Sequence, residues 1–237
     1  MTQKPRILIV EDETAIRTGL VDVFVYHGYE VDFAEHGEEG LKKALSGLFD
    51  MILLDVMLPG IDGFEICQRI RQQDRQQAVI MLTAKTSDED IVQGLTLGAD
   101  DYVSKPFSVT QLVLRVQAVL RRSGIGDKTE RNIKLHNGLL VDTENLSADG
   151  GIAFTRREMD VLQYLYSQAD RPVPREELLI KVWGYASHME IETRTVDIHI
   201  AKLRRKIESN SAEPECIVTV RGAGYRLMLA TDVKHKE

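Results

Sequence analysis

The stretch Met51-Ile-Leu-Leu-Asp-Val-Met-Leu-Pro-Gly60 decides how the first half of the chain folds. An apolar run ends at a single carboxylate, and a proline–glycine turn signal follows a few residues later. A short run that is wholly apolar indicates a strand covered on both faces, as in a parallel sheet flanked by helices. Asp55 then stands at the carboxyl end of a buried strand, where the side chains of an open parallel sheet converge on one crevice.

Comparable polar signals follow other apolar runs in the same half. Glu11-Asp12-Glu13, Thr83 and Lys105 each come directly after residues predicted to form a strand. Taken singly, each has an ordinary interpretation as a turn former, a helix cap or a solvated charge. Their occurrence at successive strand ends predicts one site for Mg²⁺ and a phosphoryl group. In such a site Lys105 would pair with the phosphoryl oxygens and Thr83 would donate a hydrogen bond to them.

The acidic residues have separate tasks in the predicted site. Asp55 is the expected nucleophile, because an aspartate can form an acyl phosphate. Asp12 and Asp55 are expected to bind Mg²⁺, which prefers oxygen ligands and keeps several waters. Glu11 would bind the ion directly or through water, and the backbone carbonyl of Met57 could supply a further oxygen.

Residues 1–122 alternate between predicted strands and helices. The strands are expected at Arg6–Val10, Glu30–Ala34, Met51–Leu54, Val79–Thr83 and Asp101–Ser104, and the helices at Thr14–Tyr26, Glu38–Leu45, Phe64–Arg71, Asp88–Leu97 and Val109–Arg121. Five such units predict an α/β domain with a doubly wound, five-stranded parallel sheet and right-handed crossovers.

The second half has a different pattern. Residues 123–130 contain glycines and mixed charges, which predicts a linker. Residues 131–237 are expected to form a second domain, an α+β winged helix-turn-helix. Its predicted parts are a small antiparallel sheet over residues 132–154, helices over Arg156–Gln168, over Arg175–Trp183 and from Arg194 onward, and a hairpin of Ile217–Val220 and Tyr225–Leu229. Thr155 and Glu158 form a capping box at the first of these helices, and Trp183 is expected to anchor the second in the core.

The charge is unevenly distributed. The 237 residues carry a net charge of −7, which taken alone disfavours DNA binding. The segment from Arg194 to Lys206, however, carries five basic residues against one aspartate. Cys67 and Cys216 have no metal-ligand spacing, which fits a reduced compartment. Since the sequence shows neither a signal-peptide pattern nor an apolar run of membrane-spanning length, we expect a cytoplasmic protein with no membrane contact.

A helix over residues 194–207 would have two unlike faces. One is an apolar stripe of Val196, Ile200, Leu203 and Ile207; the opposite side carries Arg194, Ile198, Lys202 and Arg205, with Thr195, His199 and Lys206 along one edge and Arg204 along the other. Such a helix fits the major groove of DNA, although a solvated amphipathic helix would show the same pattern. The glycine-bracketed hairpin that carries Arg221 favours the DNA-binding interpretation.

Residues 5–122 resemble a response-regulator receiver domain, which has a flavodoxin-like fold. The resemblance is carried by Ile7-Leu-Ile-Val-Glu-Asp-Glu13, Asp55-Val-Met-Leu-Pro-Gly60, Asp62-Gly63, Leu82-Thr-Ala84, Gly98-Ala-Asp-Asp-Tyr102 and Lys105-Pro-Phe107. It implies that Asp55 accepts a phosphoryl group from a phosphohistidine on a sensor histidine kinase, with Mg²⁺ as the cofactor. It also implies a cis peptide bond before Pro106.

The same resemblance implies a switch. Thr83 would move toward the phosphoryl group and Tyr102 would turn inward behind it, although a half-buried strand aromatic is the commoner role of such a tyrosine. The fourth helix, fifth strand and fifth helix would then form a homodimer interface, with Ile91, Leu95, Asp100, Asp101, Gln111, Arg115 and Arg122 at the matching positions. Ile91 and Gln111 depart from the family, which often has a basic residue and a glutamate there that pair across the interface.

Residues 130–229 resemble the winged-helix output domain of OmpR/PhoB-type regulators. The matching segments are Arg194-Thr-Val-Asp-Ile-His-Ile200, Lys202-Leu-Arg-Arg-Lys206 and Thr219-Val-Arg-Gly-Ala-Gly-Tyr225. The resemblance implies that Lys202 reads bases, that Arg194, Thr195, His199 and Arg204 hold phosphates, and that Arg221 reaches the minor groove. Arg205, Lys206 and Thr219 complete the predicted DNA-binding set, and His199 has an alternative interpretation as a structural histidine.

Two further features of this half bear on the prediction. Ala201 stands where relatives often carry another basic residue, so one phosphate contact is missing. In the family, the loop that corresponds to Gly184–Glu192 can touch RNA polymerase.

We therefore expect a DNA-binding transcriptional response regulator of a two-component system, and not an enzyme beyond assisting its own aspartyl phosphorylation and dephosphorylation. Its phosphorylated dimer would bind tandem promoter half-sites roughly one helical turn apart. A Mg²⁺-dependent phosphatase with an aspartyl nucleophile is an alternative, but it generally needs a second acid where Met57 stands. A constitutive DNA-binding protein whose receiver serves only for dimerisation is another, and the complete set of acids, Thr83 and Lys105 disfavours it.

Overall fold

The computed structural model describes residues 4–84, 88–120, 131–185 and 193–230, without the side chains of residues 88–91. The chain forms two compact units, residues 1–121 and 122–237. The division lies one residue from the end predicted for the first domain. The predicted linker, residues 123–130, falls outside the described residues.

The first unit is a parallel sheet flanked by helices. Its strands are β1 (Arg6–Val10), β2 (Glu30–Ala34), β3 (Met51–Asp55), β4 (Ala78–Thr83) and β5 (Asp101–Ser104). Its helices are α1 (Thr14–Tyr26), α2 (Gly37–Ala44), α3 (Gly63–Gln73), α4 (Asp88–Thr96) and α5 (Val109–Leu120). The strands pair in parallel in the order β2-β1-β3-β4-β5, which confirms the predicted five-stranded, doubly wound architecture.

The register of the sheet brings the predicted site residues to one edge. Every residue of β3 and β4 is buried, as expected for strands covered on both faces. Asp55 pairs with Leu82, and Thr83 pairs with Ser104 of β5. Strand order reverses between β1 and β3, which is the topological switch point where ligands bind in open α/β sheets.

Among its described residues, the second unit contains two antiparallel sheets, three main helical segments and a short 3-10 turn at Asp149–Gly151. The four-stranded sheet consists of β6 (Asn132–Lys134), β7 (Leu140–Asp142), β8 (Ser147–Ala148) and β9 (Ile152–Ala153). Helix α6 (Arg156–Ser167) is followed by α7 (Arg175–Leu178), which continues as a π-helical turn over Leu179–Trp183, and by α8 (Arg194–Ile207). Strands β10 (Ile217–Val220) and β11 (Gly224–Leu227) form the predicted hairpin, so the unit is a winged helix.

Local signals explain where the helices of this unit begin and end. Thr155 and Glu158 form the predicted capping box, with each side chain bonded to the other's backbone N–H. The π-helical turn ends at Gly184, whose φ of 71° is left-handed and suits glycine. Trp183 is fully buried and anchors the turn in the core, as predicted. Within the described ranges, no helix is both long enough and apolar enough to cross a membrane.

Gly63, the first residue of α3, shows how tightly the loop after Asp55 is packed. A Cβ at this position would overlap the carbonyl oxygen of Asp55 and lie 2.8 Å from the Cα of Val56. We expect Gly63→Ala to lower the free energy of unfolding by about 1–3 kcal/mol, because backbone atoms would have to shift. Urea denaturation monitored by circular dichroism measures the change.

Gly19, within α1, is the matched control. A Cβ there would meet no atom within 4 Å, so Gly19→Ala should raise the free energy of unfolding by about 0.5–1 kcal/mol. Equal effects of the two substitutions would contradict the packing argument.

Candidate phosphoacceptor site and nucleic-acid interface

Asp55 lies at the bottom of the crevice and is only 2% exposed. Its Oδ1 accepts a hydrogen bond of 3.0 Å from the backbone N–H of Met57, which fixes the carboxylate at the start of the turn. The N–H of Gly63 donates to the Val56 carbonyl at 3.0 Å and closes the loop. One carboxylate oxygen is thus held by the backbone, whereas the other faces Lys105.

Lys105 joins the carboxylates from the end of β5. Its Nζ lies 2.8 Å from Oδ2 of Asp55 and 2.9 Å from both carboxylate oxygens of Glu11. The lysine is held in place by its backbone N–H, which donates to the Thr83 carbonyl at 2.6 Å, and it precedes Pro106 through a cis peptide bond, as the resemblance implied. The ammonium therefore bridges the ends of β1 and β3.

The electrostatics of this contact are those of a buried ion cluster. Burial raises the pKa of the Glu11 carboxyl to about 7; the Lys105 hydrogen bond opposes this rise, and the neighbouring Asp55 charge adds to it. Burial would lower the pKa of Lys105, but its hydrogen bonds to Asp55 and Glu11 outweigh that effect and raise it. The lysine is therefore protonated, and Glu11 titrates near neutral pH.

Three carboxylates can converge on one cation. Single oxygens of Glu11, Asp12 and Asp55 lie within 4.8 Å of one another, and Asp12 is exposed. Hard oxygen donors suit Mg²⁺, which binds one or two carboxylates directly and completes its shell with water, so the third acid can bind the ion through a water molecule. The donor set therefore fits the predicted ion, whose charge would relieve the repulsion among the acids.

The predicted switch residues lie in the adjoining strands. Thr83 ends β4 and is fully buried, one residue beyond the register partner of Asp55. Tyr102 in β5 is buried, and its ring lies where a Cβ on Gly94 would meet it at 2.9 Å. The pairing of Met81 with Tyr102 places the tyrosine behind the end of β4.

Three of the residues predicted for a dimer interface are buried within the first unit. Leu95 is fully buried, and Asp100 is buried with its Oδ2 accepting from Arg71 at 3.0 Å and from the Val79 N–H at 2.8 Å. Both side chains belong to the domain interior in this structure, so they offer little surface to a partner here, and their predicted contacts across a dimer stay a prediction. Asp101 is also buried and pairs with Arg115 of the same chain at 2.9 Å.

Three further residues predicted to lie at the dimer interface are Gln111, Arg122 and Ile91. Gln111 is exposed on α5. Arg122 and the side chain of Ile91 lie outside the described residues.

Helix α8 buries more of its surface than its pattern predicts. The stripe of Val196, Ile200, Leu203 and Ile207 is buried as expected. A second stripe, Thr195, His199 and Lys202, is buried as well, and Ile198 is 8% exposed. The exposed positions described on this helix are Ala201 and Arg205, with Arg194, Asp197, Arg204 and Lys206 half-buried.

His199 belongs to the core, so the prediction that it holds a phosphate is wrong. Its Nδ1 lies 2.8 Å from the Thr195 carbonyl oxygen, and its ring packs edge-on against Trp183 with 5.1 Å between centroids. Burial, followed by the nearby Lys202 charge, lowers the pKa of this imidazole to about 3, so the ring is neutral. The alternative interpretation as a structural histidine is the one that fits.

The helical pattern predicts that Lys202 faces away from the core, but the structure buries it. Its Nζ lies 3.2 Å from Oε1 of Glu158, and Lys206 donates to Oε2 of the same carboxylate at 2.6 Å and to the Ala153 carbonyl at 2.9 Å. Burial alone would raise the pKa of Glu158, but the two ammonium groups outweigh it and hold it at about 2. Helix α8 thus docks on α6 through charge as well as through apolar contacts.

Other predicted DNA-binding residues lie along α8 and the hairpin. Arg204 donates to the Ile217 carbonyl at 2.6 Å and to Oγ1 of Thr219 at 2.8 Å, which ties α8 to β10. Thr219 and Arg221 are exposed, Arg221 at the hairpin turn. Arg205 and Arg221 are therefore the predicted basic residues most open to solvent.

The structure shows a role that sequence reasoning missed. Glu158 forms ion pairs with two lysines of α8, although its position in the sequence predicted only a capping box. The three-residue spacing to Thr155 is a local signal, whereas its pairing with Lys202 and Lys206 spans 44 and 48 residues of sequence. A local pattern gives no access to such a contact.

Two protein-family models match the chain. One, the response regulator receiver domain, matches residues 7–117. The other, the C-terminal domain of transcriptional regulatory proteins, matches residues 149–227. The first covers the crevice with Asp55 and Lys105, and the second covers α6–α8 and the hairpin.

Full-length relatives share both domains. The response regulator ArlR of Staphylococcus haemolyticus is 42% identical over 222 residues, covering 92% of this chain and 97% of the relative. The alkaline phosphatase synthesis transcriptional regulatory protein PhoP of Bacillus subtilis is 41% identical over 232 residues, covering 94% and 96%. The chain belongs to the OmpR/PhoB family of response regulators. As a member of that family, it is a DNA-binding transcriptional regulator of a two-component system.

Two solved structures of similar proteins each cover 95% of this chain. The response regulator DrrB, an OmpR/PhoB homologue of Thermotoga maritima, is 30% identical, with a TM-score of 0.52 over 95% of this chain and 100% of that one. A mutant of RitR is 31% identical, with a TM-score of 0.71 over 95% and 99%.

Glu11 should give the regulator a pH-dependent stability in the absence of Mg²⁺. Its pKa of about 7 in the folded protein exceeds the ordinary 4.5, so the folded state binds the proton more tightly. The stability contributed by that proton is fully present below about pH 4.5 and is lost as the pH rises through about 7. We expect the free energy of unfolding, measured by urea titration, to fall less across this range in Glu11→Gln than in the wild type.

Glu13→Gln is the control for this comparison, because Glu13 is a neighbouring acid whose side chain is 62% exposed. Parallel pH profiles for wild type and Glu11→Gln would show that Glu11 does not titrate as described.

Proposed function

We propose that this regulator is switched by transfer of a phosphoryl group from a phosphohistidine of a sensor histidine kinase to Asp55. The observation that carries the proposal is the buried bridge of Lys105 between Asp55 and Glu11. A cation fixed against a nucleophilic carboxylate, beside two more acids, is an arrangement for handling a transferred anion. The match to the receiver family over residues 7–117 supports the same chemistry.

In the proposed step, an oxygen of Asp55 forms a bond to phosphorus while the bond from phosphorus to the histidine nitrogen breaks, and the nitrogen keeps the electron pair. Mg²⁺ bound by Glu11, Asp12 and Asp55, with the Met57 carbonyl as a further oxygen, would neutralise charge on the moving phosphoryl group. Lys105 then exchanges its contact with Asp55 for the phosphoryl oxygens.

The added charge of roughly −1.5 to −2 is the signal. We propose that Thr83 donates its hydroxyl hydrogen to the phosphoryl group and that Tyr102 follows. The surface formed by α4, β5 and α5 would then bind a second copy of the chain. Within it, Gln111 is exposed, whereas Asp101 and Arg115 already pair within the chain, so a contact across the dimer requires that pair to open or to be shared.

The dimer would place two winged helices on neighbouring promoter half-sites. We propose that α8 enters the major groove with Arg194, Arg204 and Arg205 toward DNA, and that Arg221 on the hairpin reaches the minor groove. Lys202 can read a base only after leaving Glu158, 3.2 Å away. Thr195, Lys206 and Thr219 remain candidates for phosphate contacts.

The proposed setting is the cytoplasm, where the regulator would meet its DNA. RNA polymerase is a further proposed partner, through the loop of residues 184–192. Residues 186–192 of that loop lie outside the described residues.

The dimerisation switch is tested with beryllofluoride, a phosphoryl mimic. With Mg²⁺ and beryllofluoride, we expect the purified wild type to change from monomer to dimer in sedimentation velocity, and Asp55→Asn to remain a monomer. Dimerisation should be lost completely, because the substitution removes the carboxylate of β3 that contacts Lys105 and that would bind the mimic.

Asp62→Asn is the matched control, since Asp62 is an exposed acid of the same loop that caps α3. It should dimerise like the wild type. A wild type that stays monomeric, or an Asp55→Asn variant that dimerises, would contradict the proposal and favour a constitutive DNA-binding protein.

DNA contacts are tested on a duplex selected from a random pool by the phosphorylated protein. Arg205→Ala and Arg221→Ala should each weaken binding by about tenfold, and a lost phosphate contact should reduce the salt dependence by about one counterion. Fluorescence anisotropy at several salt concentrations measures both quantities.

Arg131→Ala serves as the control for these variants, because Arg131 pairs with Glu144 beside the four-stranded sheet at 3.2 Å. If Arg131→Ala weakened binding as much as the other two, the assignment of the interface to α8 and the hairpin would be wrong.

A further inference from the structure

Arg17 is a buried cation behind the loop that carries two of the acids. It lies in the first turns of α1 and is 6% exposed. One terminal nitrogen donates to the backbone carbonyls of Glu11 at 2.9 Å and of Asp12 at 3.0 Å. The other donates to Oε1 of Glu35 at 2.9 Å and to Oγ1 of Thr14 at 3.3 Å.

The carbonyls contacted by Arg17 belong to the residues whose carboxylates face Asp55. Fixing both carbonyl directions restricts rotation of the two peptide groups, and therefore limits where the Glu11 and Asp12 side chains can point. On its other side, the loop is held by the Glu11 N–H, which donates to the Ala34 carbonyl at 3.1 Å. At the start of α1, Glu13 makes no side-chain cap, and the bonds from Arg17 to the Glu11 and Asp12 carbonyls tie the helix to the preceding loop.

We infer that Arg17 is a positioning residue that holds the Glu11–Asp12 backbone ready to receive Mg²⁺. The inference rests on the proposed function, because it assigns a role toward the ion of that same site. Groups that orient metal ligands without touching the metal typically change its affinity by about 10- to 100-fold when they are altered.

The geometry of the guanidinium, rather than its charge, performs this task. A positive charge near the acids would by itself oppose the binding of a second cation. Glu35 offsets that charge at 2.9 Å. The planar fork can serve two carbonyls and a carboxylate together, whereas the single ammonium of a lysine cannot reproduce that arrangement. Arg17→Lys therefore separates the two effects, because it keeps the charge and removes the fork.

The experiment is a calorimetric titration of the full chain with Mg²⁺ alone, for wild type, Arg17→Lys and Arg6→Lys. Arg6 is the matched control, since it lies at the opposite end of β1 and pairs with Glu30 at 3.7 Å. We expect Arg17→Lys to bind Mg²⁺ at least tenfold more weakly than the wild type, and Arg6→Lys to bind like the wild type. At saturating Mg²⁺, Arg17→Lys should still dimerise with beryllofluoride.

The outcomes separate the inference from the function on which it rests. If wild type and Arg17→Lys bind Mg²⁺ within about twofold of each other, Arg17 only supports the fold and the inference is overturned. If the wild type itself does not bind Mg²⁺, the proposed function fails as well. The titration is made at a temperature where circular dichroism shows every variant folded, so a loss of stability alone would leave the measured affinity unchanged.

A second measurement needs no variant. The guanidinium protons of Arg17 in isotope-labelled wild type should give sharp, slowly exchanging NMR signals before Mg²⁺ is added, because the loop is already fixed. Signals that are broad without Mg²⁺ and sharpen only on its addition would show that the ion orders the loop, and this would overturn the inference even if Arg17→Lys did not fold.

Discussion

The receiver depends on the compensation of like charges in a buried crevice. Glu11 and Asp55 are both almost removed from solvent, and Lys105 lies within 2.9 Å of each. Without this cation two buried carboxylates would repel each other, and one of them would have to take up a proton. Burial raises the pKa of Glu11 to about 7 although the Lys105 hydrogen bond opposes the rise, so the compensation for burying this charge is incomplete. This incompleteness is useful, because it leaves an affinity for further positive charge at the strand ends.

The same constraint explains why the sheet is built as it is. Lys105 can reach both acids only if β1, β3 and β5 end at one level, and the parallel register ensures this. Parallel strands in turn require helical crossovers, which bury β3 and β4 on both faces. The wholly apolar run before Asp55 reflects the burial of β3 on both faces. The position of the Lys105 ammonium group therefore depends on the same parallel architecture that buries β3 and β4 on both faces.

Sequence alone predicted the receiver well because its signals are local and periodic. Apolar runs, glycine turns and polar strand ends gave the five units, and Asp55, Glu11 and Lys105 do meet. For α8 the same reasoning failed at His199 and Lys202, since a helical pattern identifies one buried stripe and cannot reveal packing on a second side. The burial of Leu95 and Asp100 was not foreseen for a related reason: a resemblance supplies positions along the chain, whereas burial is set by contacts such as that of Asp100 with Arg71. The role of Arg17 was likewise out of reach, because it depends on backbone carbonyls.

The pairing of Lys202 and Lys206 with the single carboxylate of Glu158 has a consequence for how the regulator would search a chromosome. Non-specific affinity grows with the number of cations that displace counterions from the phosphate backbone. Glu158 offsets one of the two lysine charges and holds both ammonium groups against the protein, so the five basic residues of the segment from Arg194 to Lys206 overstate its attraction for arbitrary DNA. On the proposed function, the regulator would be less easily held at the very many sites that lack its sequence, and pairing with a second copy would gain relative weight in deciding where it stays.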